Sequence, residues 1–171
     1  MRRAELLVGK GKHQNATRRV PTCKGHYIIT TKLHIHYTMT YRDFFEKDRF
    51  AAEAGVEIID MRAGYAKVRM NITPAHLNAG GVCQGGALFT MADLAFAIAV
   101  NMHGVLTFST SANITYLRSV SSGYVYAEAQ EIVDHKRMPF VEVRITDDEG
   151  TLVAIFTSSG YRKNDCPIDA E

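Results

Sequence analysis

The chain has 171 residues, 46% hydrophobic and 22% charged, with a formal net charge of only +2, the composition of an ordinary globular protein long enough for one domain with its own core. The charge is uneven: residues before Met39 hold eight Lys/Arg against one acid, Glu5, whereas from Met39 onward twelve Lys/Arg face seventeen Asp/Glu, a net of −5 (12 − 17). A mildly acidic domain argues against nucleic acid as its partner, and the longest apolar run, residues 94–100, is too short to span a bilayer.

Residues 1–38 show no sustained periodicity and read as a basic extension outside the domain, either disordered or translated ahead of a start at Met39. An Arg-rich, acid-poor targeting peptide is the functional alternative, while the apolar stretches there are too short for a signal peptide. A short strand could begin at Tyr27 but has no obvious partner. His13, His26, His34 and His36 lack cysteines or carboxylates at ligand spacing, so no metal is expected. Cys23, Cys83 and Cys166 are odd in number and scattered, which points to no disulfide framework and to a reducing, cytoplasmic setting.

The domain is expected over 39–171. Residues 41–54 predict a short helix stopped by Gly55, and 56–61 a strand. Ala63-Gly64 is a turn, and 65–72 alternates as a strand, with Ala66, Val68, Met70 and Ile72 on one face. After a glycine-rich loop, residues 85–102 are apolar nearly all round and predict a long buried helix. Four strands follow, over 109–118, 124–133, 140–146 and 151–162, with a hairpin turn at 147–150. Strands segregated from one long helix give an α+β fold, an antiparallel sheet wrapped around a central helix.

Asp93 is the sole ionisable side chain between Ala87 and Val100. A buried carboxylate is costly without a partner, and this one lies too deep in the helix to cap it or to complement its dipole. At the helix entrance, Gln84-Gly85-Gly86 offers unpaired backbone N–H groups and a close approach to the backbone, suited to a carbonyl oxygen that gains negative charge. Gly85 and Asp93 are eight residues apart, about 12 Å along one helix. One Asp cannot reach a carbonyl held at its own helix entrance, but a second, antiparallel copy of the helix would bring its Asp there. The spacing therefore predicts a two-fold dimer with shared sites.

The stretch HLNAGGVCQGGALFTMADLAFAIAV resembles the signature of the phenylacetic-acid-degradation thioesterase branch of hot-dog proteins, with His76, Asn78, Gly81, Gln84, Gly85, Gly86 and Asp93 matching in order and spacing. SANITYLRSV and DDEGTLVAIFTSSGYR resemble the strand after the helix and the closing hairpin of that family. The resemblance covers roughly residues 41–163. It implies a hot-dog fold, hydrolysis of an acyl- or arylacyl-CoA without a cofactor, and a homodimer or homotetramer. It further implies that the Gly85 amide polarises the thioester carbonyl, that Asp93 of the partner chain is general base or nucleophile, and that Asn78 places substrate or water. Gln84 stands where many members carry His and cannot titrate. Ser109, or else Ser111, would orient the water or Asp93.

CoA phosphates call for a basic rim, for which Arg118, Lys136 and Arg137 are candidates. Cys83, His76 and His135 read as packing or loop residues. There is no Gly-x-Ser-x-Gly elbow, P-loop or zinc motif in the domain. The alternatives are a hot-dog dehydratase, which would want a catalytic His at position 84, and a non-catalytic acyl-CoA binding module, which has little use for Asp93.

Overall fold

A computed structural model describes residues 19–21, 27–29, 39–168 and 170. Two compact units divide the chain, Met1–Tyr37 and Thr38–Glu171. In the first, β1 (Arg19–Pro21) pairs antiparallel with β2 (Tyr27–Ile29). The strand expected to stand alone has a partner, too short for any periodicity to reveal. The four N-terminal histidines lie outside the described residues.

The second unit opens with two short helices where the sequence predicts one. Thr40 caps α1 (Tyr41–Phe45) in a reciprocal box with Asp43. Asp48 then opens α2 (Arg49–Glu53), its carboxylate accepting the Ala51 N–H at 3.1 Å. A capping residue takes extended backbone and cannot also continue a helix, so the aspartate inside the apolar pattern is the break. Gly55, at φ 71°, ends α2 as expected.

The remaining elements are β3 (Val56–Arg62), β4 (Tyr65–Ile72), α3 (Gly85–Asn101), β5 (Val105–Tyr116), β6 (Gly123–Val133), β7 (Phe140–Asp147) and β8 (Leu152–Pro167). The six strands form one antiparallel sheet in the order β3-β4-β6-β7-β8-β5, and α3 touches every one of them. This is the α+β arrangement that the segregation of strands and helix predicts. β5 begins at Val105 rather than 109 and β8 runs to Pro167 rather than 162, because the two extensions pair, Thr107 opposite Arg162.

The core is α3 seated on the inner face of the sheet. Met91, Ala92, Ala95, Phe96, Ile98 and Ala99 meet a lining in which Val68, Met70, Val125, Val143 and Ile145 have no exposed surface. Ala66, Ala127 and Ala129 keep that lining low where the helix sits. Burying each large aliphatic or aromatic side chain contributes about 1.5–3 kcal/mol, which explains a helix with so little polar surface. Among the described residues, no helix is long and apolar enough to cross a membrane. Cys83 is a buried free thiol; Cys166 carries a disulfide, a bond that its isolated place in the sequence did not suggest.

β5 lies at the edge of the sheet. Its register sets Ser109 opposite Gly160, Ala112 opposite Ser158 and Tyr116 opposite Ala154, partners that are all buried, yet Ser109, Ala112 and Tyr116 are exposed. On the helix-facing side of this strand Thr107 is buried and Ile114 packs against the core, while Ser109, Ala112 and Tyr116 are left partly uncovered by their own chain.

Candidate active site at the head of the central helix

The entrance to α3 is pinned from both sides. The Cys83 N–H donates to the Val120 carbonyl and the Gln84 N–H to the His76 carbonyl, each at 2.7 Å. His76 is itself fixed: its Nδ1 accepts the Thr73 N–H at 3.0 Å, and its Nε2 lies 3.0 Å from the Ala54 carbonyl. It ends the single 3-10 turn Pro74–His76 rather than lying in an irregular loop, and clamps the glycine-rich loop to the end of α2.

Gln84 is the helix cap. Its side-chain oxygen accepts the Gly86 N–H and, at 3.2 Å, the Ala87 N–H. Two of the unpaired donors at the head of the helix are thereby satisfied from within the chain. The Gly85 N–H has no partner among the described residues, so the helix presents one open amide. Gly86 is required for this cap, since a Cβ there would sit 2.6 Å from the Gln84 Oε1.

Gly85 has a different reason. The Tyr116 hydroxyl donates to the Gly85 carbonyl at 2.8 Å, and a Cβ at 85 would lie 2.7 Å from the Tyr116 Cζ and Oη. Burial, and then the neighbouring Cys83, push the Tyr116 hydroxyl above its ordinary value, so it is a donor at neutral pH. Burial likewise pushes the Cys83 thiol up, which keeps it un-ionised and argues for packing rather than nucleophilic attack.

Around this entrance lies a cavity of about 410 Å³ lined by Asn78, Gly85, Leu88, Tyr116 and Arg118 among others. The Asn78 side-chain oxygen is spent on its own loop, accepting the Gly80 N–H at 2.9 Å and the Val82 N–H at 3.3 Å. Its amide nitrogen is the group left for a ligand. Arg118 donates to the Leu152 carbonyl at 2.8 Å.

Asp93 lies elsewhere, eight residues further along α3. It is half-buried, and its carboxylate has no hydrogen-bond partner among the described residues. Burial first, and the charge of Asp48 second, raise its pKa above the ordinary carboxylate value. Ser109 lies on the helix-facing side of β5, its Oγ 3.1 Å from the Ser158 Oγ. Lys136 and Arg137 sit in the β6–β7 loop, where the Arg137 carbonyl accepts the Arg162 N–H at 2.8 Å. Arg118 bonds instead to Val153, whose β8 position is nine residues from Arg162, about 30 Å along the strand.

One chain thus gathers Asn78, Gln84, Gly85 and Arg118, and holds Asp93, Ser109, Lys136 and Arg137 apart from them. Tyr116 and Asp48 were not singled out from the sequence. A tyrosine in a strand and an aspartate in a short helix carry no spacing signal, and only the packed fold sets them against Gly85 and Asp93.

A second polar cluster lies beyond the C-terminal end of α3. Buried Arg162 reaches Glu131 and Asp134, each at 2.6 Å, and His103 meets the other Glu131 oxygen at 2.6 Å. His103, Glu131 and Asp134 have the geometry to share a cation, but the guanidinium already supplies the positive charge that both carboxylates need.

Residues 80–154 match the family model described as "Thioesterase superfamily". The acyl-coenzyme A thioesterase PaaI of Escherichia coli is 34% identical over 119 residues, 69% of this chain and 85% of that protein. The solved structure of the E. coli PaaI protein from the phenylacetic acid degradation operon superposes with a TM-score of 0.68 at 32% identity, covering 71% of this chain and 88% of that one. The TT0310 protein from Thermus thermophilus superposes with a TM-score of 0.64 at 32% identity, over 67% and 97% of the two chains. With an antiparallel sheet wrapped around one helix and these relatives, the chain belongs to the PaaI-like hot-dog branch of the thioesterase superfamily and is a thioester hydrolase.

Proposed function

We propose that the protein hydrolyses acyl-CoA thioesters in a site shared by two copies of the chain, with Asp93 of one copy acting opposite the Gly85 amide of the other. The observation that carries this reading is the pairing of one open amide at the head of α3 with one unpartnered carboxylate too far along the same helix to reach it. The partly uncovered, helix-facing side of the β5 edge supports a second copy. An unpaired edge strand of this length invites another strand, and antiparallel pairing about a two-fold axis covers both edges at once.

In the reaction, the thioester carbonyl accepts the Gly85 N–H. With Asp93 as general base, the carboxylate takes a proton from water as the oxygen attacks the carbonyl carbon. The tetrahedral oxyanion rests on the Gly85 amide, whose dipole is favourable at a helix head. Collapse breaks the C–S bond, and the CoA sulfur leaves with the proton held by Asp93. With Asp93 as nucleophile, the carboxylate itself attacks, the C–S bond breaks as CoA thiolate leaves, and water then cleaves the resulting anhydride, giving the free acid, restoring the Asp93 carboxylate and leaving a proton for the thiolate. Asn78 places the substrate or the water, Ser109 orients the water or Asp93, and Gln84 acts by capping the helix so that only Gly85 stays open.

Antiparallel β5 edges would also set the Thr107 end of one copy beside the Tyr116 end of the other. Lys136 and Arg137 of one chain then approach Arg118 of the partner subunit, forming a basic rim for the CoA phosphates.

The test is thiol release from a panel of acyl-CoAs by wild type and Asp93→Asn, with binding of the esters measured separately. The expected result is a loss of about 10²–10⁴-fold in rate with binding retained. Binding by both proteins and thiol release by neither would favour a non-catalytic module.

A further inference from the structure

Ser158 is a hydroxyl in an apolar place. It lies on the helix-facing side of β8 between Phe156 and Gly160, opposite Ala112 on β5 and Val141 on β7, and is only 1% exposed. A buried hydroxyl costs free energy unless it is hydrogen-bonded. Its own neighbour offers little, since the Ser159 carbonyl lies 3.5 Å away. Its better partner is Ser109, with the two Oγ atoms 3.1 Å apart.

The strand is irregular where that contact forms. Ser109 pairs with Gly160 and Ser111 with Ser159, so Thr110 is an extra residue in β5 with no partner in the register. The Thr110 hydroxyl pins this bulge by donating to the Ser159 carbonyl at 3.0 Å. A bulge re-aims the side chain beside it. Gly160 puts no side chain opposite Ser109, and a Cβ there would sit 2.8 Å from the Thr107 Cγ2 and 3.0 Å from the Phe96 Cζ. Ser109 reaches diagonally instead, to Ser158.

The central helix brings Asp93 to the same stretch of β8. Phe89, Asp93 and Phe96 are spaced i, i+4 and i+7, so they share one face of α3. The Phe89 ring packs edge-on against Phe156 with centroids 5.2 Å apart, and Phe96 lies against Gly160. Asp93 falls between these two contacts on the helix, as Ser158 does on the strand.

We infer that Ser158 is a positioning residue of the thioesterase site: its hydroxyl holds Ser109 so that the Ser109 O–H is left for the Asp93 carboxylate of the same chain, or for the water that it activates. The inference rests on the thioesterase reading and on the role of Ser109 within it. A hydroxyl donates one proton and can accept another. With the Ser158 proton given to the Ser109 oxygen, Ser109 keeps its own to donate. Ser109 makes no other side-chain hydrogen bond among the described residues, so without Ser158 it spreads over its rotamers.

The test compares wild type with Ser158→Ala, Ser158→Cys, Ser109→Ala and the double variant Ser109→Ala/Ser158→Ala. Thiol release is followed on whichever of phenylacetyl-CoA, hexanoyl-CoA and acetyl-CoA the wild type cleaves fastest, with thermal melts alongside. Ser158→Ala and Ser158→Cys should each lower kcat by about 2–10-fold with little change in KM. Cysteine fills the space of serine but is a weak donor, so a loss in both variants separates the hydrogen bond from packing. In the Ser109→Ala background, removing the Ser158 hydroxyl should cost nothing more. An equal further loss there, or an unchanged kcat in both Ser158 variants, would overturn the inference and leave the thioesterase reading standing. So would a Ser109→Ala enzyme with the wild-type kcat. Thiol release by wild type from none of the three esters would defeat that reading and this one with it.

Discussion

The Tyr116 hydroxyl donates to the Gly85 carbonyl at 2.8 Å, and the same ring occupies the space that any side chain at 85 would need. The last residue of an edge strand thus holds the first residue of the central helix. This contact anchors the residue whose amide the Gln84 cap leaves open.

Tyr116→Phe keeps the ring and removes the hydrogen bond. One such bond is worth about 0.5–1.5 kcal/mol, so kcat should fall by roughly 2–10-fold with little change in KM. Gly85→Ala should cost more, on the order of 10²-fold in kcat, because the Tyr116 ring or the helix head must move. Steady-state kinetics on the two variants decide it; a Tyr116→Phe enzyme altered in KM alone would place the tyrosine in binding instead of positioning.

Asp48 raises the Asp93 pKa, second only to burial. Asp93 must be ionised to act as base or nucleophile, so kcat/KM should fall as pH drops through its pKa, with this acid limb above the ordinary carboxylate range. Asp48→Asn keeps the α2 cap, since asparagine caps as well as aspartate, and removes the charge. The Asp93 pKa then moves down and the acid limb shifts to lower pH. A pH profile of kcat/KM measures this directly; an unmoved limb would mean that another group controls it.

Much of the fold was legible because periodicity reports burial. The alternation of Ala66, Val68, Met70 and Ile72 marked a strand face, and the apolar run after Gly85 marked a helix enclosed by the sheet. The break between α1 and α2 was not legible, because an aspartate that caps a helix looks the same as one on its polar face until the backbone is seen. The extra length of β5 and β8 was hidden because each extension is stabilised by the other, across a long separation in sequence.

In the site, Gly85 and Asp93 stood out through the spacing of a motif and the oddity of a charge in an apolar helix. Gln84 was visible as a residue, but its work as a cap depends on a side chain folding back onto Gly86 and Ala87. The Glu131–Arg162 pair was invisible for the same reason as Tyr116: its members come from different strands and meet only in the folded sheet.

The central claim is that one active site is built from two chains, and it is tested most directly by mixing. Asp93→Asn and Gly85→Ala are each prepared alone and together, the pair by co-expression, with folding checked by circular dichroism. Each variant alone spoils both sites of its dimer. A mixed dimer keeps one site with an intact Asp93 facing an intact Gly85. With random pairing, half the dimers are mixed, so thiol release from acyl-CoA should recover to about one-quarter of the wild-type rate. Co-expressed, folded variants that stay as inactive as each one alone would contradict a shared site.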